Sequence, residues 1–155
     1  MKCLEIKWII AIIILVLIIS YFAFNCIKEN FMSSDPMLLE LEVELRKFFN
    51  TSSYKINDGN VMDHIKMYRG NKSYTLNKKK VYICMKDNDG KYYDKNMLIY
   101  VIAHELSHVL CDEIGHTPKF QEIFDKLLEE LAAFGLYNPE IPINYEYCLD
   151  GDSQI

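Results

Sequence analysis

The chain has 155 residues, half of them hydrophobic, and a formal net charge of −5. That length supports one compact core. Residues 1–30 hold three lysines and two glutamates, so the remainder carries −6, which argues against general nucleic-acid binding.

Residues 1–7 form a short N-terminal tail. Trp8 to Phe24, "WIIAIIILVLIISYFAF", follows without a charge and with only Ser20 strongly polar. As a helix it reaches about 25 Å at ~1.5 Å per residue, workable for a bilayer. A buried helix of a soluble domain would normally keep a polar face, and this one has none. Trp8 and Tyr21 stand near the two ends, where interfacial aromatics belong. The run exceeds the ~7–15 apolar residues of a secretory signal, and "SYFAFNC" has no small-x-small cleavage pattern. Residues 8–25 therefore read as a retained transmembrane signal anchor, with a polar linker at 26–34. Lys2, Lys7 and the α-amine oppose Glu5 on one side, while Lys28 is offset by Glu29 on the other. This balance favours a cytosolic N-terminus and a lumenal or external domain.

Residues 35–155 make the domain. "SSDPMLLELEVELRKFF" starts a helix with Asp35 as N-cap and Pro36 at its first position, and Leu38, Leu41, Leu45 and Phe48 recur at helical spacing. "NDGN" at 57–60 predicts a hairpin turn between strands "SYKI" and "VMDHIKMYR", the second carrying His64. "KSYTL" and "KVYICMK" read as two further strands. "DNDG", Asp87 to Gly90, lacks most ligands of a calcium loop and reads as a turn. Asp94 caps a helix running to about Cys111, and Gly115 breaks the chain. Thr117 and Pro118 begin a last helix whose stripe is Phe120, Ile123, Phe124, Leu127, Leu128 and Leu131. Helix, three or four strands and two helices indicate an α+β domain.

Cys3 and Cys26 flank the anchor. Cys84, Cys111 and Cys148 are an odd number without close pairs, so no disulfide framework is expected. From His64 to Lys86 seven basic residues occur with no acid, which reads as a solvated hairpin face. The sequons at Asn50 and Asn71 read as accidents of an Asn-rich chain.

Three of the four histidines lie in "HELSHVLCDEIGHTPKF". His104 and His108, four apart on a helix, send both imidazoles from one face. That spacing suits Zn2+, whose nitrogen ligands sit about 2.0–2.1 Å from the ion. Glu105 can reach a water at such a metal without ligating it. Random placement would give H-E-x-x-H about 1% of the time, so the pattern carries weight. His116 is the best third ligand, since Gly115 lets the chain turn back and Pro118 restarts it. A carboxylate from Glu129 or Glu130 is the alternative, and Glu113 could support a ligand imidazole.

This segment resembles the active-site stretch of WLM and SprT-like zinc metallopeptidases. In that family H-E-x-x-H is followed by a loop, a third His and then a Phe, here His104, Glu105, His108, His116 and Phe120. The order of elements over roughly Asp35 to Asn138 is also similar. The resemblance implies a compact zincin fold and a zinc-dependent endopeptidase acting on a protein or peptide. It implies zinc on His104, His108 and His116, with Glu105 as general base. Family members that digest DNA-crosslinked proteins differ from this acidic, anchored chain, so that role is not carried over. The anchor and the tail "PINYEYC" are similar to small WLM-type proteins of large DNA viruses. "KVYICMK" could offer its edge to an extended substrate, and Tyr145 and Tyr147 are candidate oxyanion donors. Two other functions compete: an inactive zinc-fold scaffold at a membrane, and a basic-hairpin protein binding anionic lipid or nucleic acid.

Overall fold

The computed structural model describes residues 2–144 and 147–148, with backbone alone for residues 2–6 and 29–33. Tyr145 and the Cys3 side chain lie outside the described residues. The chain divides into two compact units, Met1–Met32 and Ser33–Ile155.

The first unit is one helix, α1 (Lys2–Ser33). Within it Lys7–Lys28 is long and apolar enough to cross a membrane, and none of that window is buried against protein. The segment expected as a linker, 26–34, is helical as far as Ser33. "CIKENFM" contains no glycine or proline to stop it. Termination waits for Asp35, whose ψ of 125° is extended, as the residue before a proline prefers.

The second unit is α+β. Helix α2 (Pro36–Thr51) is capped by the Asp35 carboxylate, which accepts from the Met37 and Leu38 amides. The second oxygen of Asp35 accepts from Tyr92 Oη at 3.0 Å and Arg69 at 3.4 Å, tying the helix start to the sheet side. Leu38, Leu41, Leu45, Phe48 and Phe49 face the core. Strands β1 (Lys55–Ile56) and β2 (Gly59–Asn60) form a small hairpin. Its turn residues, Asn57 and Asp58, both have positive φ (47° and 63°), the type I′ geometry that Asn and Asp tolerate.

Here the chain departs from the expected strand. Val61–His64 is a helical turn, α3, because the Asn60 side chain caps the Met62 amide at 2.8 Å and Val61 and Met62 turn into the core. His64 therefore lies on that turn, against Gly59, and not on a strand.

The main sheet has β3 (Lys66–Gly70), β4 (Tyr74–Leu76) and β5 (Lys80–Cys84) in the order β3-β5-β4. Strand β5 runs parallel to β3 and antiparallel to β4. This corrects the substrate-edge expectation: "KVYICMK" is the middle strand and has no open edge. Val81, Ile83 and Met85 are fully buried, which explains why the most apolar strand takes the centre.

The disulfide expectation is also corrected. Cys84, at the end of β5, is bonded to Cys148 across 64 residues, with Cα atoms 6.5 Å apart. Spacing along the chain gave no hint of a pair that only folding brings together. Asp87 accepts from the Asp89 and Lys91 amides, closing the plain turn expected there.

Helix α4 (Lys95–Leu110) starts at Asp94, which caps the Met97 amide, and packs on β4, β5 and α5 (Pro118–Phe134). Thr117 caps α5 through the Phe120 amide, Pro118 opens it, and Gly135 ends it at φ 86°. Phe120, Phe124, Leu127 and Leu131 of its stripe are buried, with Ile123 and Leu128 packed at the margin.

Candidate metal centre

Helix α4 buries twelve of its sixteen residues, and His104 and Glu105 go inside with the apolar ones. His104 is 7% exposed and Glu105 6%. His108, one turn on, is half-buried, and His116 reaches the same point from the exposed loop after Gly115. Gly115 has φ 85°, a left-handed conformation that favours glycine and turns the chain back toward α4.

Ligand atoms of His104, His108 and His116 all lie within 4.8 Å of one another. His104 Nε2 and His116 Nε2 are 3.0 Å apart. Two nitrogens on tetrahedral sites about 2.0–2.1 Å from an ion would be about 3.3 Å apart, so the set fits a small tetrahedral cation with little adjustment. Phe120 packs among the three rings, its centroid 5.1, 4.4 and 4.9 Å from those of His104, His108 and His116. One buried ring from α5 thus limits the tilt of all three imidazoles.

Electrostatics keep lone pairs available. Burial, reinforced by the neighbouring His108 and His116, pushes His104 down to about 4, so it is neutral near pH 7. Burial also lowers His108, with His116 and Lys78 adding to the effect. Burial raises Glu105 to about 7, against a smaller lowering from a Thr75 hydrogen bond. A carboxyl poised near neutrality can both take and return a proton.

Other candidates fall away from the cluster. Neither Glu129 nor Glu130 belongs to it, and among the described residues no Glu113 hydrogen bond to an imidazole occurs. Asp112, next to Glu113, pairs with Lys119 at 2.7 Å. Tyr147, expected as a candidate oxyanion donor, is 2% exposed, and its hydroxyl donates to the Cys84 carbonyl at 2.6 Å beside Ser73 Oγ. A cleft of about 1330 Å³ lies elsewhere, lined by residues including Arg69, Lys86, Tyr92 and Cys148 and by none of the cluster. Its size does not outweigh the convergence of donor atoms.

Two residues went unnoticed in the sequence. Thr75, on β4, donates to Glu105 Oε2 at 2.8 Å. Lys78, in the β4–β5 turn, donates to the Cys111 carbonyl beyond the end of α4 and places a cation near His108. Only strand register could have revealed them, since Thr75 precedes Glu105 by 30 positions.

No family model matches the chain, and no solved structure matches it. Similar proteins are found in viruses. "Uncharacterized protein 136R" of Invertebrate iridescent virus 6 is 47% identical over 106 residues, 66% of this chain and 60% of that protein. "Uncharacterized protein 042R" of Invertebrate iridescent virus 3 is 46% identical over 94 residues, 60% of this chain and 59% of its own length. "Uncharacterized protein R325" of Acanthamoeba polyphaga mimivirus is 36% identical over 76 residues, 48% of this chain and 37% of that protein. The chain thus matches about 60% of the length of the first two.

Proposed function

We propose that the chain is a membrane-anchored zinc endopeptidase of the compact zincin kind, similar to WLM and SprT-like enzymes. The observation that carries this reading is the convergence of His104 and His108 of α4 with His116 of the following loop, beside Glu105, a buried carboxyl on α4. Three imidazoles with a fourth position left over are the donor set of a hydrolytic zinc centre, whereas structural zinc sites close all four positions with protein ligands. Zinc, when bound, supplies Lewis acidity toward a carbonyl and acidifies water. Glu105 takes the proton of the attacking water and returns it to the departing amine. The outer edge of β4, the open edge nearest α4, would pair with an extended peptide.

Helix α1 would hold the enzyme in the membrane. The disulfide between Cys84 and Cys148 supports a lumenal or external domain, since such bonds persist in oxidising compartments.

The deciding experiment compares wild type with Glu105→Gln in the fragment from Ser33 onward. Wild type is expected to carry one zinc and to cleave an unfolded protein substrate. Glu105→Gln keeps size and polarity, so zinc and fold survive while hydrolysis falls roughly 100-fold or more. Equal activity in the variant sinks the mechanism. Zinc bound without any turnover in wild type would favour the scaffold.

A further inference from the structure

We infer that Thr75 is a positioning residue for Glu105, fixing one oxygen of the carboxylate so that the other receives the proton. The inference rests on the peptidase reading for its chemistry and on coordinates for its geometry.

The Thr75 hydroxyl lies 2.8 Å from Glu105 Oε2 and 3.0 Å from the main-chain oxygen of the same residue. It therefore bridges the end of that side chain and its own backbone, and the carboxylate cannot swing without breaking the bridge. Burial makes the bond matter more, because a buried carboxylate oxygen without a donor has given up its hydrogen bonds to water with nothing in exchange.

The placement of Thr75 is itself informative. In β4, Tyr74 and Leu76 are 45% exposed while Thr75 between them is turned in, opposite Val81 of β5. An inward position on an edge strand beside a fully buried valine normally takes an apolar β-branched residue. Here it has a hydroxyl of the same shape, aimed at the one carboxyl buried in α4.

Both ends of the bridge are held by the framework. Two residues before Thr75, Ser73 Oγ accepts from the Cys84 amide at 2.9 Å and lies 2.7 Å from Tyr147 Oη. Tyr147 is in turn next to the Cys84–Cys148 disulfide. Glu105 sits mid-helix with its flanks buried. A side chain clamped between two such elements has the rigidity a proton-transfer group requires, since misplacement by about 1 Å can cost about 100-fold in rate.

The test uses the full-length chain in detergent, as wild type, Thr75→Val and Thr75→Ser. Thr75→Val keeps shape and strand preference but loses the hydroxyl, and Thr75→Ser restores it. Zinc content and KM are expected to hold in Thr75→Val, because the ligands and the β4 main chain are untouched. Its kcat is expected to fall about 10- to 100-fold, and Thr75→Ser to recover to within about 3-fold of wild type. Crystal structures of the three provide a readout that needs no turnover: the Glu105 carboxylate should be displaced in Thr75→Val and in place in Thr75→Ser. An unmoved carboxylate in Thr75→Val overturns the inference, whatever the activity. So does a Thr75→Ser variant as impaired as Thr75→Val, which would assign the effect to the lost methyl or to packing. If wild type cleaves nothing, the peptidase reading fails, and the carboxylate positions still decide the role of Thr75.

Discussion

Helices α1 and α4 are both rich in Ile, Leu and Val, yet they meet opposite surroundings. The large apolar side chains of α1 from Trp8 to Ile27 are 47–68% exposed, whereas α4 buries all but four of its residues. A helix that is apolar all round needs an apolar medium all round. Helix α4 finds it in the sheet and α5, whereas α1 is long and apolar enough to find it in a bilayer, as proposed above. The polar residues separate the two cases better than the apolar ones do. Between Trp8 and Phe24 there is no ionisable group except Tyr21 near the end, as a lipid environment demands. Helix α4 buries His104 and Glu105, whose shifts to about 4 and about 7 record the desolvation they bear. Groups held at that cost inside a packed helix support the hydrolytic reading proposed above.

The largest expected effect comes from removing α1. Its twelve Ile, Leu, Val and Phe residues between Trp8 and Phe24 contribute roughly 4–7 kcal/mol toward insertion. Alkaline carbonate should leave the full chain in the membrane pellet, and deletion of residues 1–32 should move the domain to the supernatant. A mature protein found to begin after Phe24 would show that α1 is a cleaved signal, and the contrast with α4 would then be one of processing.

Next in size is the disulfide, which staples the domain. For two cysteines 64 residues apart, the chain-entropy relation gives about 4 kcal/mol. Cys148→Ser should lower the unfolding free energy of the domain, read from urea titration, by that order, and reductant should bring wild type to the same midpoint. If reductant leaves wild type unchanged, the bond does not form in solution, and the argument for an oxidising compartment goes with it.

That bond also shows where sequence reading stops. Local signals were legible because their physics is local: Asp94 and Thr117 cap the helices they precede, Pro118 stands at a first position, and the α5 stripe faces inward. The H-E-x-x-H spacing placed His104 and His108 on one face, and Gly115 let His116 join them. Val61–His64 was missed because the "NDGN" turn predicts a strand on either side of it, while the Asn60 cap and two consecutive buried residues favour a turn of helix. The central position of β5, the Cys84–Cys148 pair and the Thr75–Glu105 bridge depend on strand order, which three successive short strands do not encode. Burial decided that order.

The three imidazoles allow the contrast between buried and exposed groups to be tested within one site. His104 lies deep in α4 and His116 on an exposed loop. His104→Ala should weaken zinc by more than roughly 100-fold, beyond the 10- to 100-fold usual for an outer partner, and His116→Ala by less, though still over about 10-fold. Zinc content by mass spectrometry and chelator competition reads both. Full metal in His116→Ala together with its loss in Glu129→Ala would move the third ligand to α5.

The smallest effect expected is at Gly115, and it isolates the loop from the helix. Its φ is 85°, and a Cβ built there would meet nothing within 4 Å, so Gly115→Ala suffers backbone strain alone. That strain costs about 1–2 kcal/mol for an L-residue in the left-handed region. Gly90, in the Asp87 turn, has φ 78° and equally open space, but no ligand follows it. The two alanine variants should lose similar stability in urea. Only Gly115→Ala should also weaken zinc, by several-fold, because His116 is the next residue and its imidazole must still meet His104. Should Gly90→Ala weaken zinc as much, the loss reflects general loosening of the domain, and the loop has no special part in bringing His116 to α4. Should neither variant affect zinc, His116 reaches its position without help from the left-handed turn, and the packing of Phe120 among the three rings must set the geometry of the site.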